Sequence, residues 1–216
     1  MASPVLSLLQ TLVEGAATLA FAASGLLEAE RKRLDPVGVC IVTGLAAFGG
    51  GTLRDILLDR RPFFWVAQPH WLWVIIGLST AAMLFLRARH ARLTERAMQW
   101  PDALGLGLFS AGGTQIALAQ GLPAIVAVLM GVITAAFGGV LRDIVCNEIP
   151  RALRDHRPYA ICAFAGGWVV VGAGPLGLGL EPEWSLALGA GVATALRVAA
   201  LLTGTRLPGW ATQQDR

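Results

Sequence analysis

The segment AAFGGGTLRDILLDRRP, residues 46–62, returns in altered form as AAFGGVLRDIVCNEIP at residues 135–150, and the two align without a gap at an offset of 88 positions. Each version places glycines in an apolar stretch and follows them with Leu-Arg-Asp. Glycine weakens a helix, and charges in apolar surroundings are costly. The repeated combination is therefore the feature from which we infer fold and function.

The composition indicates a membrane protein. Of the 216 residues, 55% are hydrophobic and only 14% are charged, whereas soluble domains carry about 25% charged residues. The apolar runs approach the roughly 20 residues that cross a hydrocarbon core, and a spanning segment without barrel-like alternation is expected to be helical. We predict an all-α polytopic membrane protein that forms one membrane domain over 1–216. Its seven transmembrane helices are predicted at 4–27, 36–58, 71–86, 103–122, 123–146, 159–176 and 184–203.

The offset of 88 residues extends beyond the glycine segments. Phe21 aligns with Phe109, and the acidic Glu14 aligns with the acidic Asp102. The predicted units are a first three-helix repeat, a second three-helix repeat and a seventh helix, over 14–86, 102–176 and 183–204. Because each repeat has an odd number of spans, the second enters the membrane from the opposite side, and the repeats are predicted to be inverted. Inverted repeats place the pathway and any broken helices at their interface.

The glycines allow two interpretations. They are Gly49, Gly50 and Gly51 in the first version and Gly138 and Gly139 in the second. Phe137 stands at the position equivalent to Gly49. Small residues let helices pack closely in lipid, which is a purely structural interpretation. Consecutive glycines also kink a helix or expose its carbonyl groups, and here charges follow directly in both versions. We therefore interpret these positions as helix breaks in an ion pathway, with Phe137 as an apolar obstruction in the second.

An arginine and an aspartate follow the glycines in each version, as Arg54–Asp55 and Arg142–Asp143. Inversion would place one pair near each mouth of a pathway. Neighbouring side chains on a helix point in different directions, and each aspartate shares a helix face with the residue four positions later, so the two charges need not neutralise each other. Snorkelling arginines with interfacial aspartates would explain the same pattern structurally. The pathway interpretation predicts that Asp55 and Asp143 concentrate cations at the two mouths.

Arg197 is the only charge in the apolar stretch GAGVATALRVAALLTG at 189–204. Such a group needs a partner or water, and Glu14, Asp102 and Asp143 are the candidate partners, among which the sequence does not choose. No nucleophile–base pair or metal-ligand cluster is recognisable. We therefore predict a protein that is not an enzyme and has no cofactor, metal or nucleic-acid partner.

The paired GGGTLRD…RP and GGVLRDIVCNEIP segments, within seven predicted helices, resemble those of the prokaryotic trimeric intracellular cation channels, which are also described as glycine transporters. The resemblance covers about 14–204. It implies a homotrimer in which each protomer has its own pore, lined by the glycine-kinked second and fifth helices, for monovalent cations, notably potassium and also sodium. The alternative is a secondary transporter of a small solute such as glycine, since inverted repeats also suit alternating access. The expected location is the inner membrane of a prokaryote, with membrane lipids as further partners.

The basic residues predict the orientation in that membrane. Of the 17 Lys and Arg, twelve fall on the side of the C-terminus. They are Arg31, Lys32, Arg33, Arg87, Arg89, Arg92, Arg96, Arg151, Arg154, Arg157, Arg206 and Arg216. Only Arg60 and Arg61 lie in the opposite loops. Because cytoplasmic loops are enriched in Lys and Arg, the N-terminus is predicted outside and the C-terminus in the cytoplasm.

Cysteine labelling in intact cells tests this orientation. In a background without native cysteines, Glu181→Cys should react with an impermeant thiol reagent, whereas Arg89→Cys and Arg154→Cys should react only after the cells are permeabilised. The reverse pattern would contradict both the orientation and the assignment of the two mouths.

Overall fold

The computed structural model describes residues 4–89, 95–154 and 156–208. Within these residues all regular secondary structure is helical, which confirms the predicted all-α class. The helices are α1 (Pro4–Arg31), α2 (Pro36–Leu57), α3 (Phe64–Ala67), α4 (His70–Arg89), α5 (Glu95–Ala119), α6 (Ala124–Val145), α7 (Arg151–Arg154), α8 (Ala160–Ala173) and α9 (Pro182–Thr203). Seven are long, and α3 and α7 are single turns. Arg92 and Arg216, which contribute to the orientation argument, lie outside the described residues.

Four helices are long and apolar enough to cross a membrane, over Leu8–Arg31, Pro36–Leu57, Ala124–Val145 and Pro182–Thr203. Shorter apolar helical stretches lie at His70–Leu84 in α4 and Ala160–Ala173 in α8. The remaining long helix, α5, begins eight residues before the predicted start at 103 and contains Pro101. The count of seven spans therefore stays a prediction.

Local sequence sets the ends of two of these apolar helices. Pro36 lies in the first turn of α2, and Asp35 caps that turn because its Oδ1 accepts a hydrogen bond from the backbone N–H of Gly38 at 2.7 Å. Pro182 lies in the first turn of α9, which ends at Gly204 with a φ of 67°. Proline and a carboxylate cap at the start of a helix, and a left-handed glycine at its end, are ordinary helix boundaries.

Helical structure is continuous through both glycine segments, so the predicted breaks do not interrupt α2 or α6. The reason is that the missing side chains leave room for another helix. A Cβ atom on Gly50 would lie 1.9 Å from the carbonyl oxygen of Thr134, and one on Gly138 would lie 2.3 Å from the carbonyl oxygen of Ala46. The two helices are thus in backbone contact, and their glycines allow that approach.

These contacts relate the two sequence repeats to each other. Ala46 and Thr134 are 88 residues apart, as are Gly50 and Gly138, so the two contacts are reciprocal. Reciprocal contacts are what a two-fold relation produces. The contacts also run in opposite order along the two helices, so α2 and α6 cross in an antiparallel sense. On α1 and α5, Phe21 stacks on its own counterpart Phe109 with ring centroids 5.6 Å apart.

The remaining helices surround this crossing. The central helix is α5, which packs against α1, α6, α8 and α9, while α2 packs against α1, α4 and α6. The stacked rings of Phe21 and Phe109 belong to a buried cluster that also includes Leu106 and Tyr159. The core therefore lies between the two repeats, and α9 packs mainly against the second.

Gly50→Ala tests the crossing, with Gly44→Ala on the same helix as the matched control. The added methyl group should force α2 and α6 apart at position 50 and lower stability by about 1–3 kcal/mol, as overpacking does. A Cβ on Gly44 meets nothing within 4 Å, so its replacement should leave stability unchanged or raise it. The measurement is the thermal denaturation midpoint in detergent, and equal midpoints for the two variants would contradict the crossing.

Candidate functional site

The residues after the glycines form the first charge cluster, which consists of Glu14, Arg54 and Asp55. Arg54 is fully buried, and its Nη1 lies 2.6 Å from Oε1 of Glu14 on α1. Its Nη2 lies 2.7 Å from Oδ1 of Asp55, which also lies 3.3 Å from the half-exposed Arg60. The second oxygen of Asp55 accepts a hydrogen bond from the backbone N–H of Phe64 at 2.9 Å. The cluster therefore joins α1, α2 and α3.

The second charge cluster consists of Asp102, Arg142 and Asp143, the residues 88 positions further on. Arg142 Nη1 lies 3.0 Å from Oδ1 of Asp102 on α5, and its Nε lies 2.9 Å from Oδ1 of Asp143. Oδ2 of Asp143 accepts a hydrogen bond from the backbone N–H of Arg151 at 3.0 Å. Arg142 also donates to the hydroxyl of Ser24 on α1. Like the first, this cluster holds two carboxylates and one guanidinium, a formal charge of −1.

Each arginine pairs with the aspartate that follows it, which differs from the expectation that their charges need not neutralise each other. The helices end at Leu57 and Val145, so the residue four positions after each aspartate has left the helix. Asp59 and Asn147 have φ angles of 49° and 55°. Beyond the helix end no residue shares a helix face with either aspartate, and about 2% or less of either aspartate is exposed. The long arginine side chain therefore folds back and pairs with the aspartate that follows it.

The glycines and Phe137 occupy different surroundings. Gly50 and Gly138 form the crossing described above, while Gly49 faces the side chain of Leu141 and Gly51 faces the ring of Phe64. Gly139 faces polar atoms of the second charge cluster. Phe137 lines an almost wholly apolar cavity of about 540 Å³ between α2, α4 and α6. This cavity reaches Gly49 but is not itself a polar passage.

Arg197 lies beside the second charge cluster. Its Nη1 donates a hydrogen bond to the carbonyl oxygen of Pro158 at 2.9 Å, and its guanidinium carbon lies 4.8 Å from the centre of the Tyr159 ring. Within the described residues no ion pair joins it to Glu14, Asp102 or Asp143, the partners considered from sequence. It lines a small cavity together with Tyr159 and the second cluster. A backbone carbonyl and an aromatic ring carry no charge, so the sequence did not point to them.

Glu28 is a further buried charge that sequence reasoning missed. It is 0% exposed, accepts hydrogen bonds from Nε and Nη2 of Arg31, and lies 3.0 Å from Nη2 of Arg151. The contact with Arg151 joins α1 to α7 and so to the second charge cluster. Beside it, Lys32 pairs with Glu148 in the loop after α6, and that contact lowers the pKa of the Glu148 carboxyl. The spacing of Glu28 and Arg31 on one helix face was the available signal.

Comparisons with known proteins identify relatives along nearly the whole chain. A family model described as Glycine transporter matches twice, at residues 11–87 and 99–175. A UPF0126 membrane protein of Vibrio cholerae is 36% identical over 200 residues, which cover 93% of this chain and 82% of that protein. The UPF0126 inner membrane protein YadS of Escherichia coli K12 is 35% identical over 198 residues, which cover 92% of this chain and 94% of that protein.

Solved structures share the fold. The TRIC trimeric intracellular cation channel orthologue from Rhodobacter sphaeroides is 33% identical, with a TM-score of 0.81 over 91% of this chain and 98% of that chain. A prokaryotic TRIC channel crystallised in 0.5 M KCl is 27% identical, with a TM-score of 0.84 over 93% of this chain and 100% of that chain. This protein therefore belongs to the membrane-protein family whose model is described as Glycine transporter, and it has the fold of the trimeric intracellular cation channels.

Proposed function

We propose that this protein is a channel for monovalent cations, notably potassium and also sodium, with a pathway between α2 and α6 in each protomer. The observation that carries the proposal is the pair of equivalent charge clusters on either side of the glycine crossing. Ionisable groups inside membrane helices are costly and commonly mark ion pathways. The solved relatives named as cation channels support the same function, and they are not enzymes.

The sign of the clusters favours cations. The three residues that define each cluster, two carboxylates and one arginine, carry a formal charge of −1, which attracts a cation. Arg60 beside the first cluster and Arg197 beside the second reduce that attraction. Two unit charges 4 Å apart interact by about 4 kcal/mol at an effective dielectric constant near 20, so even a partly wet cluster changes local ion concentrations. In this conformation the pathway is closed, because α2 and α6 are in backbone contact at Gly50 and Gly138. Conduction would require the two helices to separate there.

The proposed assembly is a homotrimer in the inner membrane of a prokaryote, surrounded by membrane lipids. The trimeric relatives and the name of the inner membrane protein YadS support it. We further propose that the repeats 14–86 and 102–176 are inverted, followed by a seventh helix at 183–204. The antiparallel crossing and the two matches of the family model, also 88 residues apart, support the inversion. The basic loops support an external N-terminus.

The alternative function is secondary transport of a small solute such as glycine. The description of the family model is the observation in its favour. The solved relatives, which are named as channels, favour the channel.

Flux measurements in liposomes separate the two functions. The purified protein should dissipate a potassium gradient without any co-substrate, and external glycine should neither be accumulated nor change the rate. Liposomes without protein measure the background leak of potassium. Saturable glycine uptake without potassium flux would contradict the channel and support the transporter.

Asp143→Asn tests the role of charge, with Asp59→Asn as the matched control. Asp143→Asn preserves the side-chain shape and raises the formal charge of the second cluster from −1 to 0. Potassium conductance and cation-over-anion preference should both fall, and more so at about 0.01 M than at 0.1 M salt, because screening is weaker at the lower concentration.

Asp59 is exposed, and asparagine tolerates its positive φ, so Asp59→Asn should conduct normally. The measurements are conductance and reversal potential in a potassium chloride gradient. Normal values at both salt concentrations for a well-folded Asp143→Asn protein would assign Asp143 a structural role.

A further inference from the structure

Gly51 and Gly139 are equivalent in the repeats but have different neighbours. A Cβ atom on Gly51 would lie 2.4 Å from Cε1 of Phe64, so the ring lies directly on the glycine. A Cβ on Gly139 would have its nearest neighbours at 3.5–3.6 Å, and all three are polar atoms, from Tyr159, Arg142 and Asp102. The same position is therefore covered by an aromatic ring in the first repeat, whereas in the second it faces polar atoms beside a small cavity.

Phe64 is held against the first charge cluster by several contacts. Its backbone N–H donates to Oδ2 of Asp55 at 2.9 Å, and its ring centre lies 5.8 Å from the guanidinium carbon of Arg54. The ring meets Phe48 edge-on at 5.9 Å and is only 7% exposed. It thus covers Arg54 on one side of the buried ion pair, while the loop residue Arg60 reaches Asp55 beside it.

The second repeat has a similar backbone hydrogen bond without this ring, one residue closer to its aspartate along the chain. Arg151 begins α7 as Phe64 begins α3, and its N–H donates to Oδ2 of Asp143 as that of Phe64 does to Asp55. The side chain of Arg151 turns away to Glu28 on α1. The carboxylate therefore does not need a ring at this position in order to be bound.

We propose that Phe64 is an aromatic plug that closes the end of the ion pathway at the first charge cluster. This inference rests on the proposed channel function and adds a residue that controls access to it. The plug opens when the ring leaves Gly51. The element that carries it is a single helical turn, attached to α2 by the bond to Asp55 and by the hydrogen bond from Trp65 Nε1 to Thr52 Oγ1 at 2.9 Å.

Potassium efflux from liposomes tests the plug with Phe64→Ala, and Phe63→Ala is the matched control. Removal of the Phe64 ring should raise the efflux several-fold. Phe63 contacts Trp65 and Arg61, so its truncation removes the same atoms without uncovering Gly51 and should leave efflux unchanged. Thermal denaturation and elution volume identify the variants that retain the wild-type assembly.

Two further variants keep the test decisive if Phe64→Ala does not assemble. Phe64→Leu shortens the plug, and Gly51→Ala keeps the ring but displaces it by occupying its place, so both should raise efflux. Wild-type efflux in the assembled variants would overturn the plug, because a ring with only a packing role changes stability and not flux. Wild-type protein that passes no potassium would instead count against the channel itself.

Discussion

The close crossing of α2 and α6 is the constraint on which the rest of the structure depends. Helices in lipid gain little from the hydrophobic effect between them and associate through close packing of small residues. At Gly50 and Gly138 each helix receives a backbone carbonyl of the other where a side chain would otherwise lie. This contact fixes both the separation and the register of the helices. Arg54 and Arg142 each follow the crossing by four residues, or about 6 Å, and the equivalent charge clusters result from that register.

The two repeats differ in how the third helix packs, and small residues again explain the difference. On α8, Gly166 and Gly167 let α9 and α6 approach closely. The equivalent positions on α4 are Leu78, which is exposed, and Ser79, which is buried. The apolar cavity of about 540 Å³ lies between α4 and the face of α2 that carries Gly49. The third helix of the second repeat, α8, is therefore more tightly packed than α4, the third helix of the first repeat.

The sequence predicted the features that are visible as a pattern and missed those that depend on three-dimensional contacts. The offset of 88 residues, and close packing as one of the two interpretations of the glycines, followed directly from the amino-acid sequence. The single turns α3 and α7 could not, because four residues carry too little periodicity for a prediction. The pairing of Arg54 with Asp55 was missed because the helix was assumed to continue past Leu57. The role of Phe64 required knowing which ring lies on Gly51.

The ion pairs also indicate how the crossing can open. Glu14 ties α1 to α2 through Arg54, and Asp102 ties α5 to α6 through Arg142. Breaking such a buried pair costs about 3–5 kcal/mol, so each helix pair should move as a unit.

The two ends of the crossing are not held equally. The second cluster is also bound to α1, because Arg142 donates to Ser24 and Arg151 pairs with Glu28. The polar contacts of the first cluster, among the described residues, stay within α1, α2, α3 and the loop that carries Arg60. Separation of α2 from α6 therefore breaks fewer polar contacts at the first cluster, which is the end that Phe64 covers.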